Sequence, residues 1–210
     1  MLAIIQARSS SKRFKNKINH IVLGKRLIWY VVEGVKKSKY VKKIIVSTST
    51  KKSDDNLVAY LKYNKIMYYR GSLNNVAERL LNTAKKFKKK GFVRICADSP
   101  LIDYKIIDKA IKTYKLNRYE IVTNTFPKTF PKGLSVEVLN TTIIEKNLKK
   151  MNKYEKEHVT KFFYNNYKNF IIKNFKSKSK KYRFNLSVDK KKDLKKIEPL
   201  LKKKFIIWKF

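Results

Sequence analysis

Apolar and polar positions follow two recurring patterns along the first 124 residues. Short, nearly continuous apolar runs are typical of strands buried on both faces of a parallel sheet. These runs lie at 2–7, 43–47, 65–69, 92–96 and 120–123. Between them, apolar residues recur at the spacing of amphipathic helices. The helical segments are 26–37, 53–63, 75–87 and 104–115. This alternation predicts a three-layer, Rossmann-like α/β fold, with a mostly parallel central sheet between helices.

Acidic residues mark the beginnings of two of these helices. Ser53 with Asp54 and Asp55 forms a credible N-cap and acidic first turn, and Asp103 directly precedes the segment 104–115. Side-chain oxygens at such positions accept hydrogen bonds from the free N–H groups of the first turn. We therefore expect these residues to begin the second and fourth helices.

The pattern is less regular after residue 124. Pro127, Pro131 and Gly133 mark 125–133 as a loop, and Pro199 inside an amphipathic segment predicts a kink or a shortened helix. The remaining predictions are strands at 134–139, 169–174 and 183–188, helices at 142–150, 154–165 and 190–204, a polar turn at 176–181 and a strand-like tail at 205–208. We interpret residues 1–210 as a single domain whose less regular part is about 130–185.

Composition is consistent with one folded domain and excludes several classes of protein. With 210 residues, 43% of them hydrophobic, the chain can bury a full core. No apolar segment approaches the ~20 residues that span a bilayer. The single cysteine, Cys96, excludes an internal disulfide, and its apolar surroundings favour a buried thiol over a nucleophile. We expect a cytoplasmic protein without membrane insertion.

The net charge of +38 attracts polyanions without specificity. The excess is nearly all lysine, spread over the solvent-facing positions of almost every helical segment, so most of it is interpreted as solvated surface. Zinc, helix-turn-helix and RNA-recognition motifs are absent from the sequence. We expect no specific nucleic acid partner, and a basic nucleic-acid-binding protein is kept as an alternative.

Polar residues stand at or just past the ends of the predicted strands. They are Arg8, Ser47, Arg70, Asp98 and Asn124, and Asp189 follows the run 183–188. In an open parallel sheet the carboxyl ends of the strands form one edge, at which ligands bind. Mg²⁺ is typically held by one or two carboxylates together with substrate phosphates. The sequence therefore predicts a polyphosphate site at this edge, with Mg²⁺ held by Asp98 and Asp189.

A set of motifs in a fixed order resembles one enzyme family. The motifs are Gln6-Ala7-Arg8 with Arg13 and Lys17, Val46-Ser47-Thr48-Ser49, Arg70-Gly71-Ser72, the segment Arg94 to Asp103, Phe130-Pro131-Lys132-Gly133, Glu157-His158-Val159-Thr160, and Val188-Asp189 with Asp193-Leu194. Over nearly its whole length the chain resembles the cytidylyltransferases of the spore coat polysaccharide biosynthesis protein F type, relatives of CMP-sialic acid and CMP-Kdo synthetases.

This resemblance implies a glycosyltransferase-A-like nucleotide-diphospho-sugar transferase fold and a reaction. A cytidylyl group would pass from CTP to a hydroxyl of a sugar, expected to be a sugar acid, with release of pyrophosphate, in surface polysaccharide or glycan biosynthesis. It also favours a homodimer formed through the region after Gly133. A nucleotidyltransferase that uses another nucleoside triphosphate is kept as a second alternative.

The candidate residues then take defined roles. Guanidinium groups suit forked phosphate contacts and an ammonium acts as a point charge, so Arg8 and Arg13 are assigned to the β- and γ-phosphates and Lys17 to the α-phosphate. The nucleotide-binding set is Ala7, Arg8, Arg13, Lys17, Ser47 and Arg70. The catalytic set is Lys17, Arg8 and Asp98, and the Mg²⁺ ligands are Asp98 and Asp189. The acceptor-binding set is Asn124, Glu137 and His158.

Four positions depart from the family pattern. The family usually has glycine at the positions of Ser10 and Asn16, proline at Lys15 and aspartate at Ser135. Without the glycines and the proline, the opening loop has different conformational freedom. Asn16 can still adopt a left-handed conformation.

Overall fold

The computed structural model of the protein describes residues 1–11, 13–116, 118–177 and 184–206. Its strands are β1 (Leu2–Gln6), β2 (Ile21–Val22), β3 (Lys25–Arg26), β4 (Lys43–Ser49), β5 (Tyr68–Gly71), β6 (Gly91–Cys96), β7 (Ile121–Thr123), β8 (Glu137–Asn140) and β9 (Ile172–Asn174). Its α-helices are α1 (Leu27–Lys36), α2 (Asp55–Tyr63), α3 (Val76–Lys86), α4 (Tyr104–Tyr114), α5 (Thr141–Asn147), α6 (Lys153–Glu157), α7 (Lys161–Asn165) and α8 (Lys191–Ile206). Among these described helices, none combines the length and the apolar character that a membrane crossing requires.

The central sheet has the strand order β5-β4-β1-β6-β8-β7-β9. β1 pairs in parallel with β4 and β6, β4 with β5, and β7 with β9. β8 runs antiparallel to its two neighbours, β6 and β7. The predicted α/β fold with a mostly parallel sheet is confirmed. Because β8 is reversed, its first residues lie at the same edge of the sheet as the last residues of β6 and β7.

Hydrophobic clusters on the two faces of the sheet explain the continuous apolar run of β1. Ala3 and Ile5 belong to the cluster formed with α1, α2 and α4, whereas Leu2 and Ile4 belong to the cluster formed with α3, α5 and α7. All four side chains are at most 1% exposed. Successive side chains of a strand point to opposite faces, so a strand covered on both faces is apolar at every position. Each buried leucine or isoleucine contributes roughly 2 kcal/mol to this core.

The segment 154–165, predicted as one helix, forms two short helices. α6 ends at Glu157 and α7 begins at Lys161. In the turn between them Val159 is fully buried and His158 is exposed. The break lets Val159 enter the core while its neighbour His158 faces outward.

Three strands, β5, β8 and β9, each begin three residues later than predicted, and β9 begins at Ile172 after a 3₁₀ turn at Tyr167–Asn169. β5 begins at Tyr68, because Lys65 adopts a φ of 54° in the turn that follows α2. β8 begins only at Glu137, because the N–H of Val136 donates to Oδ1 of Asn124 instead of to a neighbouring strand.

A helix shortened at Pro199, one of the two alternatives predicted there, is not observed. α8 continues through Pro199 and ends at Ile206. The strand-like tail predicted from residue 205 is therefore helical at its first two positions, and residues 207–208 lie outside the described part of the chain.

The strand predicted over 183–188 is wrong for residues 184–188. Asn185 forms only an isolated bridge with Lys132, and the N–H of Leu186 donates a 2.7 Å hydrogen bond to the Lys132 carbonyl. Gly133 is required beside this contact, because its φ is +95° and a Cβ atom would lie 2.5 Å from the Leu186 carbonyl carbon. The loop over 125–133 thus holds the segment that leads to Asp189. Residue 183, and residues 178–181 of the predicted polar turn, lie outside the described residues.

Candidate active site

A cavity of about 670 Å³ lies at the carboxyl edge of the sheet, beyond β1 and β6. The segments that follow these strands contribute Ala7, Arg8 and Asp98 to its wall, and more distant segments contribute His158 and Asp189. The structure therefore brings many of the predicted residues together. Those that line the cavity are Ala7, Arg8, Arg13, Lys17, Asp98, His158 and Asp189.

A buried aspartate fixes the start of the loop that follows β1. The Ser9 N–H donates a 2.6 Å hydrogen bond to Oδ1 of Asp54, and the N–H and Oγ–H of Ser49 donate to Oδ2. Asp54 is fully buried. Burial opposes its ionisation, but the hydrogen bonds from Ser49 and Ser9 hold the pKa of Asp54 below its usual value. The predicted start of α2 is corrected: the helix begins at Asp55, which stands in its first turn, so the N-cap position belongs to Asp54 instead of Ser53, and the Asp54 side chain makes no cap hydrogen bond.

Asn16 reverses the chain so that Lys17 points into the site. The Ser9 carbonyl accepts hydrogen bonds from the N–H groups of Ser11 (2.9 Å) and Asn16 (3.0 Å). Asn16 has a φ of 55°, so the left-handed conformation expected for it is confirmed. A short 3₁₀ turn follows at Lys17–Asn19, and it leaves Lys17 buried.

The Lys17 ammonium lies between two carboxylates. It is 2.8 Å from Oδ2 of Asp98 and 3.5 Å from Oδ1 of Asp189, and it donates a 2.8 Å hydrogen bond to the Val188 carbonyl. The backbone of Val188 in turn donates to the Asp98 carbonyl at 2.9 Å. Lys17 therefore joins the end of β6 to the segment that precedes α8.

Asp189 is surrounded by cations. Its carboxylate pairs with Lys132 and accepts a 3.3 Å hydrogen bond from Arg13, besides its contact with Lys17. Burial raises the pKa of Asp189, but the Lys132 hydrogen bond and the three positive charges outweigh it and hold that pKa below its usual value. The Asp189 N–H donates to Oδ2 of Asp193 at 2.8 Å, which fixes the backbone. Lys132 had been assigned no role from the sequence, although it lies in one of the quoted motifs.

The donor set at this position fits Mg²⁺. Asp98 and Asp189 supply carboxylate oxygens that contact the same ammonium, and no His or Cys side chain joins them as a third ligand among the described residues. Mg²⁺ is commonly bound through one or two carboxylates, with waters and substrate phosphates completing its shell. The site therefore offers carboxylates that can bind the metal ion and cations that can bind the phosphates of a metal–triphosphate.

Arg8 reaches across the cavity to the end of α6. Its Nη2 lies 2.6 Å from Oε1 of Glu157, and both side chains are partly exposed. His158 follows directly, with its ring centroid 4.4 Å from that of Tyr154. Both Glu157 and His158 line the cavity, so the turn between α6 and α7 forms part of its wall.

Four of the predicted residues do not line the cavity. Ser47 is fully buried and shares a 3.1 Å hydrogen bond with Thr83. Arg70 donates to the carbonyls of Ser49 (2.9 Å) and Lys51, and pairs with Asp55. In this structure these two stabilise the ends of β4 and β5.

Asn124 and Glu137 are likewise engaged with other protein groups. Asn124 is buried, donates to the Leu134 carbonyl and accepts from the Val136 N–H, each at 2.8 Å. Glu137 accepts 2.6 Å hydrogen bonds from Arg94 and from the Tyr164 hydroxyl.

The Glu137 network also contains residues that sequence reasoning missed. Burial and the neighbouring Glu137 carboxylate raise the pKa of Tyr164 well above its usual value, so its hydroxyl remains a donor. Arg94 donates to Gln6 at 2.9 Å as well as to Glu137. Arg94 had been quoted only as part of a motif, and Tyr164 had no signal because its partners are far away in the sequence.

Cys96 lies at the wall of the cavity, half-buried, instead of in the core. Burial raises the pKa of its thiol to about 11, against the opposing effect of Arg94. The thiol is therefore protonated at neutral pH, which removes the form that acts as a nucleophile.

Comparisons with known proteins agree with this geometry. Residues 2–209 match the family model described as cytidylyltransferase. The chain is 26% identical to the spore coat polysaccharide biosynthesis protein SpsF of Bacillus subtilis over 214 residues, covering 97% of this chain and 87% of that protein. It is 32% identical over 111 residues to the 3-deoxy-manno-octulosonate cytidylyltransferase of Geotalea daltonii, covering 52% of this chain and 42% of that one.

A solved structure has the same architecture. A cytidylyltransferase from Leptospira borgpetersenii superposes with a TM-score of 0.89 at 29% identity, covering 94% of this chain and 84% of that one.

Proposed function

The chain belongs to the cytidylyltransferase family and is a nucleotidyltransferase that uses CTP, and we propose that it transfers the cytidylyl group to a sugar acid and releases pyrophosphate. The observation that carries the proposal is the position of the Lys17 ammonium between Asp98 and Asp189. A buried cation with two carboxylates, next to a loop that carries further cations, is suited to a metal-bound triphosphate.

Transfer at the α-phosphate requires in-line placement of the attacking and leaving oxygens and neutralisation of negative charge. Arg8 and Arg13 are proposed to hold the β- and γ-phosphates, which become the leaving pyrophosphate, through forked contacts. Arg8 can exchange Glu157 for a phosphate at low cost, since their pair is partly exposed and such pairs are weak.

Lys17 is proposed to contact the α-phosphate. Its ammonium can exchange a carboxylate partner for a phosphate oxygen without leaving its buried position, because its stem is held by the turn that follows Asn16. Asp98 and Asp189 are proposed to hold Mg²⁺, which supplies Lewis-acid polarisation of the phosphate and lowers the pKa of the acceptor hydroxyl. The depressed pKa of Asp189 keeps that carboxylate ionised for this purpose at neutral pH.

A sugar acid as acceptor is supported by the relative named for 3-deoxy-manno-octulosonate. Polysaccharide or glycan biosynthesis as the wider role is supported by the relative named for the spore coat. His158 lines the cavity and is proposed to contact the acceptor directly. Glu137 and Asn124 are proposed to shape the acceptor end indirectly. Glu137 does so by holding Arg94 and Tyr164, and Asn124 by holding the backbone of 134–136.

The less regular part of the domain, about 130–185, is proposed to carry the acceptor contacts and a homodimer interface. The reaction is proposed to take place in the cytoplasm, where CTP is available. Ser47 and Arg70 could bind the nucleotide, as predicted from the sequence, only if their side chains left their present partners.

Pyrophosphate release by the purified protein tests the function. CTP and Mg²⁺ are supplied with a panel of ulosonic and nonulosonic acids that includes 3-deoxy-manno-octulosonate. We expect release with at least one acid, and a larger thermal stabilisation by CTP than by UTP, ATP or GTP. Absence of release with every acid, together with no stabilisation by CTP, would contradict the proposal. Stabilisation by another nucleotide instead would indicate a different base.

A further inference from the structure

Gln6 stands at the end of β1 and lines the cavity between the basic loop and the turn after α6. It is half-buried, and it is the only glutamine in the chain. Gln6 belongs to the motif Gln6-Ala7-Arg8, in which the proposed function assigns a role to Arg8 and none to Gln6.

The orientation of the Gln6 amide is fixed by Arg94. The Arg94 Nε–H donates a 2.9 Å hydrogen bond to Oε1 of Gln6. A guanidinium group has donors and no acceptor, so only the amide oxygen of Gln6 can face it. The amide NH₂ group must point away from Arg94, and among the described residues no hydrogen bond of this group to the protein is present. Two donors are therefore presented on the cavity side.

Arg94 is itself held firmly. Its Nη1 donates to Oε2 of Glu137 at 2.6 Å, and the two side chains are about one-tenth exposed. The same Nη1 lies 3.5 Å from the Thr160 hydroxyl. Burial disfavours the charged form of Arg94, but the Glu137 carboxylate outweighs it and raises the pKa of Arg94. The guanidinium is therefore a permanent donor in one position.

The network that orients Gln6 belongs to the acceptor end of the site. It runs from Arg94 to Glu137 and then to the Tyr164 hydroxyl on α7. None of the contacts described for Arg94 and Glu137 is to a residue of the loop 8–17. Thr160 closely follows His158, which lines the same cavity.

We propose that Gln6 is a specificity-determining residue, whose amide NH₂ group binds an oxygen atom of the acceptor sugar, and that Arg94 is the positioning residue that orients it. The inference rests on the proposed function and deepens it. Because the amide is uncharged, it selects an acceptor by the position of an oxygen atom, whereas the cations of the loop select by charge.

Glutamine-selective labelling gives a direct test, since the chain has one glutamine side chain. Protein made with ε-¹⁵N-glutamine shows one NH₂ pair of resonances. We expect this pair to move little when a non-transferable α,β-methylene analogue of CTP and Mg²⁺ are added. It should shift clearly when the acid that supports turnover, or 3-deoxy-manno-octulosonate as the first probe, is added to that complex. A full shift with the CTP analogue, and none with the acid, would assign the donors to the nucleotide and overturn the inference.

Kinetics of two variants provide the second test. Gln6→Glu keeps an acceptor for Arg94 and removes both donors, and Gln6→Met removes the donors without adding charge. For each variant we expect the KM for the acid to rise about tenfold, as for one lost hydrogen bond of about 1.4 kcal/mol, with the KM for CTP within about twofold. An unchanged KM for the acid in both variants would overturn the inference. Inactive wild-type protein, unstabilised by CTP, would instead contradict the proposed function itself.

Discussion

The backbone N–H of Ser9 donates a 2.6 Å hydrogen bond to the buried carboxylate of Asp54, across 45 positions of sequence. This bond, with those from Ser49, ties the beginning of the basic loop to the end of β4. The loop is therefore anchored at its first turn by a side chain that takes no part in the cavity.

Replacement of Asp54 by Asn should destabilise the protein. An amide presents a donor where the carboxylate accepts from Ser9 or Ser49, so a buried N–H is left unpaired, at a cost of about 1–3 kcal/mol. Urea denaturation measures the loss. Asp55→Asn is the matched control, because Asp55 is exposed and pairs only at the surface with Arg70, where less than about 1 kcal/mol is at stake. Equal midpoints for the two variants would contradict the role of Asp54.

The stabilisation by Asp54 should depend on pH in one direction. Its pKa is lower in the folded protein than in the unfolded chain, so the contribution is fully present above the unfolded value of about 4 and is lost as the pH falls through the folded value. The difference in unfolding free energy between wild type and Asp54→Asn should therefore be constant near neutrality and shrink below about pH 4. A difference that stays constant down to pH 2 would show that ionisation of Asp54 does not matter.

Lys17→Ala and Asp98→Asn should each reduce turnover about a hundredfold or more, the scale of removing one preorganised charge from a reacting centre. Pyrophosphate release at saturating CTP measures the effect. Lys15→Ala is the matched control, because Lys15 lies in the same loop with its side chain exposed. Near-normal rates for Lys17→Ala, in a variant that still melts cooperatively, would exclude the proposed contact with the α-phosphate.

Glu157→Gln should strengthen CTP binding a few-fold. The carboxylate competes with phosphates for Arg8, and a partly exposed ion pair is worth less than about 1 kcal/mol. Calorimetric titration with CTP measures the change. Glu145→Gln is the control, since Glu145 is also partly exposed and pairs with Lys85 on the helices α5 and α3. Weaker CTP binding by Glu157→Gln would show that this carboxylate supports the nucleotide instead of competing with it.

Cys96→Ser should retain turnover within about threefold, and the native thiol should react slowly with iodoacetamide at pH 7.5. The pKa of about 11 leaves almost no thiolate at that pH. Intact-mass spectrometry follows the alkylation, with free cysteine as the reference thiol. Alkylation of the folded protein as fast as that of free cysteine would contradict the raised pKa.

The alternation of apolar runs was sufficient to predict a mostly parallel sheet between helices. Arg8 and Asp98 follow the adjacent strands β1 and β6, and both line the cavity at the carboxyl edge of that sheet. Asp189 lines the same cavity, although the strand predicted before it does not form over 184–188. The pattern of apolar runs could not predict which way a side chain at a strand end points. Ser47, predicted at a strand end, lies within β4 and bonds to Thr83, and Asn124, just after β7, bonds to the 134–136 backbone.

Long-range partners explain most of what the sequence could not show. Asp54 was expected in the acidic first turn of α2 because its neighbours in sequence begin that helix, whereas its partner Ser9 is distant in sequence. Arg94 and Glu137 form one ion pair through adjacent antiparallel strands, and the reversal of β8 was not visible in a chain that had alternated regularly up to that point.

The loop between β7 and β8 contacts residues at both ends of the proposed site, the end assigned to the metal and the end assigned to the acceptor. Lys132 within it pairs with Asp189, and Asn124 holds its last residues immediately before Glu137 begins β8. If the proposed function holds, metal placement and acceptor recognition are therefore not separate modules that can be exchanged one at a time. A graft of this loop from a relative would alter the surroundings of Asp189, the proposed metal ligand, together with those of Glu137, proposed for the acceptor end. We expect point substitutions at the cavity wall to change specificity with less loss of activity than exchange of the whole loop.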